Sequence, residues 1–406
     1  MLVSDLSPIE SRTLLNCLHL RVKPHQLQSL RIDRSLSWET LFDAAAHLGV
    51  GPLLYFRLKD PSVSEMVPKG ILQQRRGDLL RSQVQNMKVY AQLRKVLQVF
   101  CQEEVPVIVL KGALLAELVY QHIGLRTMDD VDLLVSKQDL GKAEFILEQL
   151  GFCPDEAYRP KDWYKVHHHH LVPYVSPDGS TVVEIHHDII PVNDPIKVPI
   201  DKLWERARPI RIASIPCLTL TWEDLLVHLS HHICAQNEFF GQLREICDIA
   251  ELIGRYGQEI TWDELLRISR AYKVEKHVYF ALCLARDTLG AAIPAGVLKQ
   301  LRQETRLLPL EERLIRFIGS KAILLFDLSK HPLYEWILLD ALKSVVNLRK
   351  RTEIVQSIGN NIVRWYKLAR PNPSSVKSAT IRLFGGKGLR NDLDRFKEAG
   401  HGGLKG

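Results

Sequence analysis

The sequence predicts an α+β protein in which a small mixed-sheet core is flanked by helical regions at its N-terminal and C-terminal sides. The first observation is that apolar residues recur at three- and four-residue steps in both outer parts of the chain, as in amphipathic helices. The second is a pair of short β-branched runs near the middle, "VPVIVL" and "VDLLV", which are typical of buried strands. We therefore expect four regions, which are an N-terminal helical region (1–104), the α/β core (105–192), a C-terminal helical domain (193–369) and a basic, flexible tail (370–406).

The N-terminal region reads as helices throughout. The segment "WETLFDAAAHLGVGPLLYFRL" has helical spacing of its apolar residues. A longer stripe follows at three- and four-residue steps, made of Leu80, Val84, Met87, Tyr90, Leu93, Leu97 and Phe100. This stripe predicts a helix that packs its apolar face against the core.

The core is expected to begin with a strand, a turn and a helix. The strand 105–110 runs into the turn Lys111-Gly112 and then into the helical segment "ALLAELVY". After the strand 131–135, Ser136 is placed to cap the next helix, and Gly151 ends that helix. The segments "HHHHLVPYV" and "TVVEIHHDII" are separated by the turn "SPDGS", which predicts a β-hairpin.

Helical periodicity returns in the second half of the chain, in "LTWEDLLVHLSHHI", "LREICDIAELIGRY", "TWDELLRISRAY" and "YEWILLDALKSVVNLRKR". Arg244 and Asp248 are four residues apart in one of these segments, which predicts an intrahelical ion pair, with contacts to a nucleotide or acceptor as the alternative. His228 and His232 share a helix face and are expected to be packed or surface side chains, since the H-E-x-x-H pattern of metalloproteases is absent.

Charge and composition limit the class of protein. The net charge is +7, and residues 349–406 carry 13 Lys and Arg against 4 Asp and Glu, so this last part of the chain, which includes the tail, accounts for the positive charge. Such a tail is a solvated end or approaches phosphates of RNA or lipid. Seven scattered cysteines without a C-x-x-C pair indicate reduced thiols, and the chain has no apolar run of membrane-spanning length. We expect a cytoplasmic protein without integral membrane association, while the oligomeric state stays open.

Asp130 and Asp132 are the first candidates for chemistry. Alternate side chains of a strand share a face, so both carboxylates point to one side while Val131 and Leu133 pack into the core. Two converging carboxylates suit Mg²⁺, which also removes their repulsion. Asp129 has the opposite parity and is expected to be exposed. The alternative is an ordinary solvated acidic pair.

Cations near this pair indicate a phosphate ligand. The Lys111-Gly112 turn directly after a buried strand can present an ammonium group and a backbone amide to phosphate. Arg126 is expected to reach the same phosphate site. Phosphate-binding groups beside a metal-binding acid pair are what a nucleoside triphosphate site requires.

A third acid is expected from the hairpin. Glu184 offers a carboxylate from another strand, with Val183 and Ile185 facing inward, and Asp188 is the reserve candidate. His186 lies on the same face and can contact a phosphate or an acceptor. The alternative for Glu184 and His186 is a solvated strand face.

The segment "VIVLKGALLAELVYQHIGLRTMDDVDLLV" resembles the uncharacterised nucleotidyltransferase family of the DNA polymerase β-like superfamily, with weaker similarity over residues 38–255. The resemblance implies a nucleotidyltransferase sheet with Asp130 and Asp132 as the metal pair and Glu184 as the third acid. Lys111 and Gly112 replace the Gly-Gly or Gly-Ser phosphate turn of the superfamily.

These observations predict an enzyme that uses Mg²⁺ or Mn²⁺ to transfer a nucleoside monophosphate from a nucleoside triphosphate to an acceptor, with release of pyrophosphate. Catalysis is assigned to Asp130, Asp132 and Glu184, and nucleotide binding to Lys111, Gly112, Arg126 and His186. The acceptor is expected to be a small molecule, with RNA or protein as alternatives, and the nucleotide, ATP or another, stays open. The competing hypothesis is a catalytically inactive nucleotide- or RNA-binding scaffold of the same fold.

The run His167 to His170 has three interpretations. In a strand, the four side chains would divide two to each face. They then line the acceptor pocket, bind a transition metal, or form a simple polar strand.

Overall fold

The computed structural model describes residues 6–19, 36–128, 130–155, 160–192, 194, 196–236, 242–305, 307, 312, 316, 319 and 324. Asp129, most of the helical region predicted beyond residue 305, and the basic tail lie outside the described residues. The described part contains thirteen α-helices and a seven-stranded mixed sheet, so the predicted α+β class is confirmed.

Four helices form the N-terminal part, namely α1 (Pro8–Leu18), α2 (Trp38–His47), α3 (Gly51–Leu58) and α4 (Lys69–Gln102). Ser7 caps α1 in a capping box with Glu10, and Ser37 caps α2 by accepting from the Thr40 amide. These caps satisfy amides that a helix start leaves without partners.

The predicted apolar stripe on α4 is correct only for its second half. Tyr90, Leu93, Leu97 and Phe100 are buried, whereas the side chains of Leu80, Val84 and Met87 are 47%, 55% and 57% exposed. Where Leu80, Val84 and Met87 are exposed, the adjacent stripe of α4 with Ser82 and Asn86 is buried instead. The apolar pattern does not predict this stripe, because it is fixed by a polar contact. The Asn86 side-chain amide donates to the Arg126 carbonyl at 2.8 Å.

The seven strands are β1 (Val107–Val109), β2 (Asp130–Val135), β3 (Cys153–Pro154), β4 (Tyr174–Val175), β5 (Val182–His186), β6 (Arg208–Ile212) and β7 (Ile215–Thr219). Their order in the sheet is β3-β4-β5-β2-β1-β7-β6. Strand β2 is central, antiparallel to β1 and parallel to β5, and β1 is parallel to β7. The last two strands follow residue 192, the predicted end of the core, so the sheet draws on a longer part of the chain than expected.

The segments around the central strands match the predicted order. After β1, helix α5 (Lys111–Leu114) continues into a π-helical turn (Leu115–Val119). After β2, Ser136 donates its hydroxyl to Asp139 at 2.7 Å, and a 3₁₀ turn leads into α6 (Leu140–Gln149). The predicted hairpin is present as the antiparallel pair β4 and β5.

The histidine run is not in a strand, so the expected division of two side chains to each face is wrong. His167 is the last residue of α7 (Lys161–His167), and the His168 amide donates to the Tyr164 carbonyl at 3.0 Å. The backbone becomes extended only at His170, which forms an isolated bridge with His186 of β5. The helical turn therefore gathers these side chains on the β5 side of the sheet.

Six further helices follow the sheet's hairpin segment, namely α8 (Ile200–Arg206), α9 (Trp222–His231), α10 (Leu243–Tyr256), α11 (Trp262–Tyr272), α12 (Glu275–Leu289) and α13 (Ala295–Thr305). Every residue of α9 is buried, and α9 continues into a second π-helical turn (His232–Gln236). Among the described helices, no segment combines the length and apolarity that crossing a membrane requires.

Candidate active site

Two acids from neighbouring parallel strands stand side by side. The register of β2 and β5 pairs Asp132 with Glu184, while Val131, Leu133, Val183 and Ile185 on the opposite face are fully buried. Asp132 is 4% exposed, and Asp130, on the same face of β2, is half-buried. The predicted alternation of these strands is therefore present, and it brings the carboxylates to one side of the sheet.

His186 links the two facing acids. Its Nε2 lies 2.8 Å from Asp132 Oδ1 and 3.5 Å from Glu184 Oε2, so a proton on Nε2 is donated to Asp132. Although burial alone would lower it, the pKa of His186 is raised, because Asp132 and Glu184 stabilise the imidazolium. The ligand atoms of Asp132, Glu184 and His186 all lie within 4.8 Å of one another.

Lys111 supplies the second cation. Its Nζ lies 3.3 Å from Asp132 Oδ2, and the lysine side chain is only 15% exposed. The residue has φ +33°, a backbone conformation that is strained for a residue with a side chain. Strand β1 ends two residues before, at Val109, so this sharp entry into α5 aims the ammonium group at β2.

Asp130 is the acid of this site whose ionised form is stabilised least. Burial and the neighbouring Asp132 raise the pKa of Asp130 to about 6. Burial would also raise the pKa of Asp132, but Lys111 and His186 hold it well below its usual value. Two cations thus stabilise Asp132, whereas the repulsion that remains in the metal-free protein is felt by Asp130.

Arg126 lies beside this cluster and is held by an acid of a distant helix. Its Nε donates to Asp248 Oδ1 at 3.1 Å and its Nη2 donates to Asp248 Oδ2 at 2.9 Å, and both residues are buried. The predicted pair of Arg244 with Asp248 is therefore wrong, since Arg244 instead binds Glu245 at 3.1 Å. The assignment of Arg126 to a phosphate stays a prediction.

Gly112 gives Arg126 its space. A Cβ atom at this position would lie 2.9 Å from Arg126 Nη1 and 3.5 Å from the Met128 side chain. The turn after β1 therefore requires glycine for a reason of packing, in addition to the phosphate contact that the sequence predicts.

Asp188, the reserve candidate, is placed differently from Glu184. Its Oδ1 accepts from the Ile190 amide at 3.1 Å, as in a capped turn. It does not belong to the group of described residues whose ligand atoms converge around Asp132.

His228 is packed, as predicted, and it is also a candidate for the site that the sequence pattern did not indicate. It lies on α9, is 3% exposed, and neither ring nitrogen has a hydrogen-bond partner among the described residues. Burial, followed by the positive charge of Lys111, lowers the pKa of His228 well below its usual value. The four-residue spacing to His232 indicated a shared face, but only the tertiary structure shows that this face lies within electrostatic reach of Lys111 and Asp132.

The donor set fits a divalent cation. Two carboxylates and an imidazole converge here, from Asp132, Glu184 and His186, and Asp130 adds a carboxylate on the same face of β2. Carboxylate oxygens are hard donors, which Mg²⁺ and Mn²⁺ prefer. The raised pKa of Asp130 is the second indication, since burial and its acidic neighbour both oppose its ionisation and a cation would relieve that repulsion.

The profile of the uncharacterised nucleotidyltransferase family matches residues 34–290. The chain belongs to this family. Membership supports nucleotidyl transfer as the general reaction type and a nucleotide as one substrate. The three acids Asp130, Asp132 and Glu184 lie inside the matched range.

Comparison with curated proteins gives no match. Among solved structures, the solution structure of the antibiotic-resistance factor ANT(2'')-Ia aligns with a TM-score of 0.32 and 14% sequence identity. That alignment covers 46% of this chain and 92% of the other chain. The family assignment rests on the profile match alone.

Proposed function

We propose that the protein is a Mg²⁺-dependent enzyme that transfers a nucleoside monophosphate from a nucleoside triphosphate to an acceptor. The observation that carries this proposal is the pairing of Asp132 with Glu184 across two parallel strands, with Asp130 on the same face and Lys111 in contact with Asp132. Family membership supports the reaction type, and the acids support the metal dependence.

The transfer needs no reactant besides the nucleoside triphosphate and the acceptor. An acceptor oxygen forms a bond to the α-phosphorus, the bond from that phosphorus to the bridging oxygen breaks, and pyrophosphate leaves with the bonding electron pair. The proton of an acceptor hydroxyl passes to a carboxylate of the cluster. Mn²⁺ would serve in place of Mg²⁺.

The acids hold the metal and the cations hold the phosphates. Asp130, Asp132 and Glu184 would ligate Mg²⁺, which neutralises charge on the triphosphate and on the leaving pyrophosphate. With Mg²⁺ held by the acids, the Lys111 ammonium group would bind a phosphate oxygen in place of Asp132. His186 would likewise exchange its bond to Asp132 for one to substrate.

The acceptor is proposed to be a small molecule, with RNA or protein as the alternatives. The assay that tests the function is release of pyrophosphate by the purified protein given each nucleoside triphosphate with Mg²⁺ or Mn²⁺. Incubation of a cell extract with α-labelled nucleotides then shows whether the label appears on a small molecule, on RNA or on protein. Failure to label any acceptor, together with absence of pyrophosphate release, would contradict the proposal.

A catalytically inactive nucleotide-binding scaffold is the second candidate. The observation that favours it is the pairing of Asp132 with Lys111 and His186, because these two cations already stabilise the acid without a metal ion. Isothermal titration separates the candidates. Tight binding of the metal-nucleotide complex without turnover across a wide panel of acceptors would indicate the scaffold.

A further inference from the structure

Three consecutive histidines form a second cluster on the β5 side of the sheet. Ligand nitrogens of His168, His169 and His170 all lie within 4.8 Å of one another. The ring centroids of His168 and His170 are 3.9 Å apart, and those of His168 and His169 are 4.6 Å apart. The end of α7 and the bridge to His186 bring these imidazoles together, although consecutive side chains of a strand would point apart.

Two of these rings have no hydrogen-bond partner at Nδ1 in the part of the chain that the structure describes. The Nδ1 atoms of His168 and His169 are buried without a partner among the described residues, and His169 is only 9% exposed. A buried polar nitrogen without a partner is costly, and most such atoms in folded proteins are satisfied by protein, water or an ion. These two nitrogens therefore indicate a ligand.

The hydrogen bond of His170 determines which of its ring nitrogens can bind a metal ion. Its Nδ1 lies 2.6 Å from the Leu171 carbonyl oxygen, which can only accept, so Nδ1 carries the proton. In the neutral ring the lone pair is then on Nε2, which lies 3.5 Å from Glu184 Oε2. Both atoms offer lone pairs and repel each other. The His186 imidazole lies 3.5 Å from the same Glu184 oxygen, and a metal ion bound by His170 Nε2 would remove the repulsion that remains.

The spacing suits a metal ion. Zinc binds imidazole nitrogen and carboxylate oxygen at about 2.0–2.2 Å, so two such ligands of a tetrahedral ion are about 3.4 Å apart. The separation of His170 Nε2 from Glu184 Oε2 is close to this value. The Leu171 carbonyl fixes the tautomer of His170, as outer partners do for metal-binding histidines.

Aromatic side chains surround the same rings. Tyr164 packs against His168 and His170 with centroid distances of 5.6 Å and 5.7 Å, and Trp163 packs against His168 at 6.5 Å. This apolar wall limits ring rotation and lowers the local dielectric constant. His168 is the most accessible of the three, so an ion can enter there.

We propose that His168, His169 and His170 bind a borderline transition-metal ion of the Zn²⁺ class. These three ligands are separate from Asp130 and Asp132, and Glu184, which we also assign to Mg²⁺, lies between the two sites. Three imidazoles select Zn²⁺, Co²⁺, Ni²⁺ or Cu²⁺ over Mg²⁺, which prefers oxygen. Three protein nitrogens leave a fourth position of a tetrahedral ion for Glu184, water or an acceptor group.

The experiment uses the full chain after treatment with a chelator. Zn²⁺ and Co²⁺ are titrated in a large excess of Mg²⁺, by calorimetry and by the visible absorption of Co²⁺. The variants His168→Ala and His169→Ala are compared with His167→Ala, the matched control from the same run, which is exposed and packs on Trp163 with a centroid distance of 5.1 Å. The variant Asp130→Asn tests independence from the Mg²⁺ site.

We expect the wild type to bind one ion per chain with intense absorption typical of tetrahedral Co²⁺. We also expect this binding to be lost in His168→Ala and His169→Ala and kept in His167→Ala and Asp130→Asn. Stoichiometric binding that persists in His168→Ala and His169→Ala would overturn the proposal, as would absence of binding by the wild type, which would leave a proton as the cation between His170 and Glu184.

A measurement on the wild type removes dependence on the folding of variants. X-ray absorption at the zinc edge of the loaded protein should show three imidazole ligands, and a shell of oxygen atoms only would contradict the site. Nucleotidyl transfer with Mg²⁺ is assayed separately on the chelator-treated protein. The proposed function can therefore fail while zinc binding persists, or the reverse.

Discussion

Asp132 of β2 and Glu184 of β5 are paired in register across two parallel strands, and the Nε2 atom of His186 contacts both. A single imidazole thus takes the position between two carboxylates where a divalent cation would bind. Lys111 contacts the other oxygen of Asp132. The protein without metal is therefore arranged with its own cations close to the oxygens that we assign to Mg²⁺.

Replacement of Asp132 by Asn should abolish most of the activity. The loss of one carboxylate ligand removes several kcal/mol of charge stabilisation in the transition state, so pyrophosphate release should fall at least about 100-fold. Asp188→Asn is the matched control, because that carboxylate caps a turn at the Ile190 amide. Comparable loss in both variants, or full turnover by Asp132→Asn with native circular dichroism, would contradict the assignment.

Replacement of Lys111 by Met should destabilise the metal-free protein. It leaves a buried carboxylate with one cation fewer, and breaking a buried ion pair from one side costs about 3–5 kcal/mol, reduced here by the remaining bond to His186. Lys142→Met is the control, since the pair of Lys142 with Glu103 is exposed and should contribute at most about 1 kcal/mol. Urea unfolding measures both, and added Mg²⁺ should restore part of the loss only in Lys111→Met.

Replacement of Gly112 by Ala should strain the turn after β1. The new Cβ would lie 2.9 Å from Arg126 Nη1, and Arg126 cannot move freely because Asp248 holds it, so we expect a loss of about 1–3 kcal/mol in the free energy of unfolding. Gly141→Ala in α6 is the control, since its Cβ would meet nothing within 4 Å. That variant should gain about 0.5–1 kcal/mol. Equal effects in the two variants would show that Arg126 yields easily.

The stability of the metal-free protein should depend on Asp130 between about pH 4 and pH 6. The folded state raises the pKa of Asp130 to about 6, so the folded protein binds a proton more tightly than the unfolded chain does. Asp130 therefore favours folding at low pH, and this contribution is lost as the pH rises through the folded pKa. Urea unfolding of the chelator-treated protein against pH should show a decrease over this window that Asp130→Asn lacks, and identical profiles would disprove the shift.

Local patterns of the sequence predicted much of the sheet. The alternation of "DVDLLV" and of "VVEIHH" was sufficient to place the two acids on one face, since a strand has a period of two. It was not sufficient for β6 and β7, whose segments "RPIRI" and "IPCLT" contain proline and alternate weakly. Strand β7 joins the sheet by pairing with β1, and β6 pairs with β7 at the edge, and the contact with β1 is one that only the tertiary fold determines.

The charged contacts of the site were harder to predict. Arg126 and Asp248 are 122 positions apart, and no local spacing indicates that they pair. The four-residue spacing of Arg244 and Asp248 indicated the wrong partner, because the carboxylate of Asp248 is buried and accepts two hydrogen bonds from the buried Arg126 guanidinium. The position of His228 beside the site could not be predicted for a similar reason, because the charged residues near it come from elements distant in sequence.

The most direct test of the central claim is the position of Mn²⁺ in crystals of the protein soaked with Mn²⁺ and a non-hydrolysable nucleoside triphosphate analogue. We predict an anomalous peak within ligand distance of Asp132 and Glu184, with the imidazole of His186 moved away from Asp132 and Lys111 turned towards a phosphate. An analogue bound elsewhere, or the contacts of Asp132 with His186 and Lys111 kept and no peak beside them, would contradict the account.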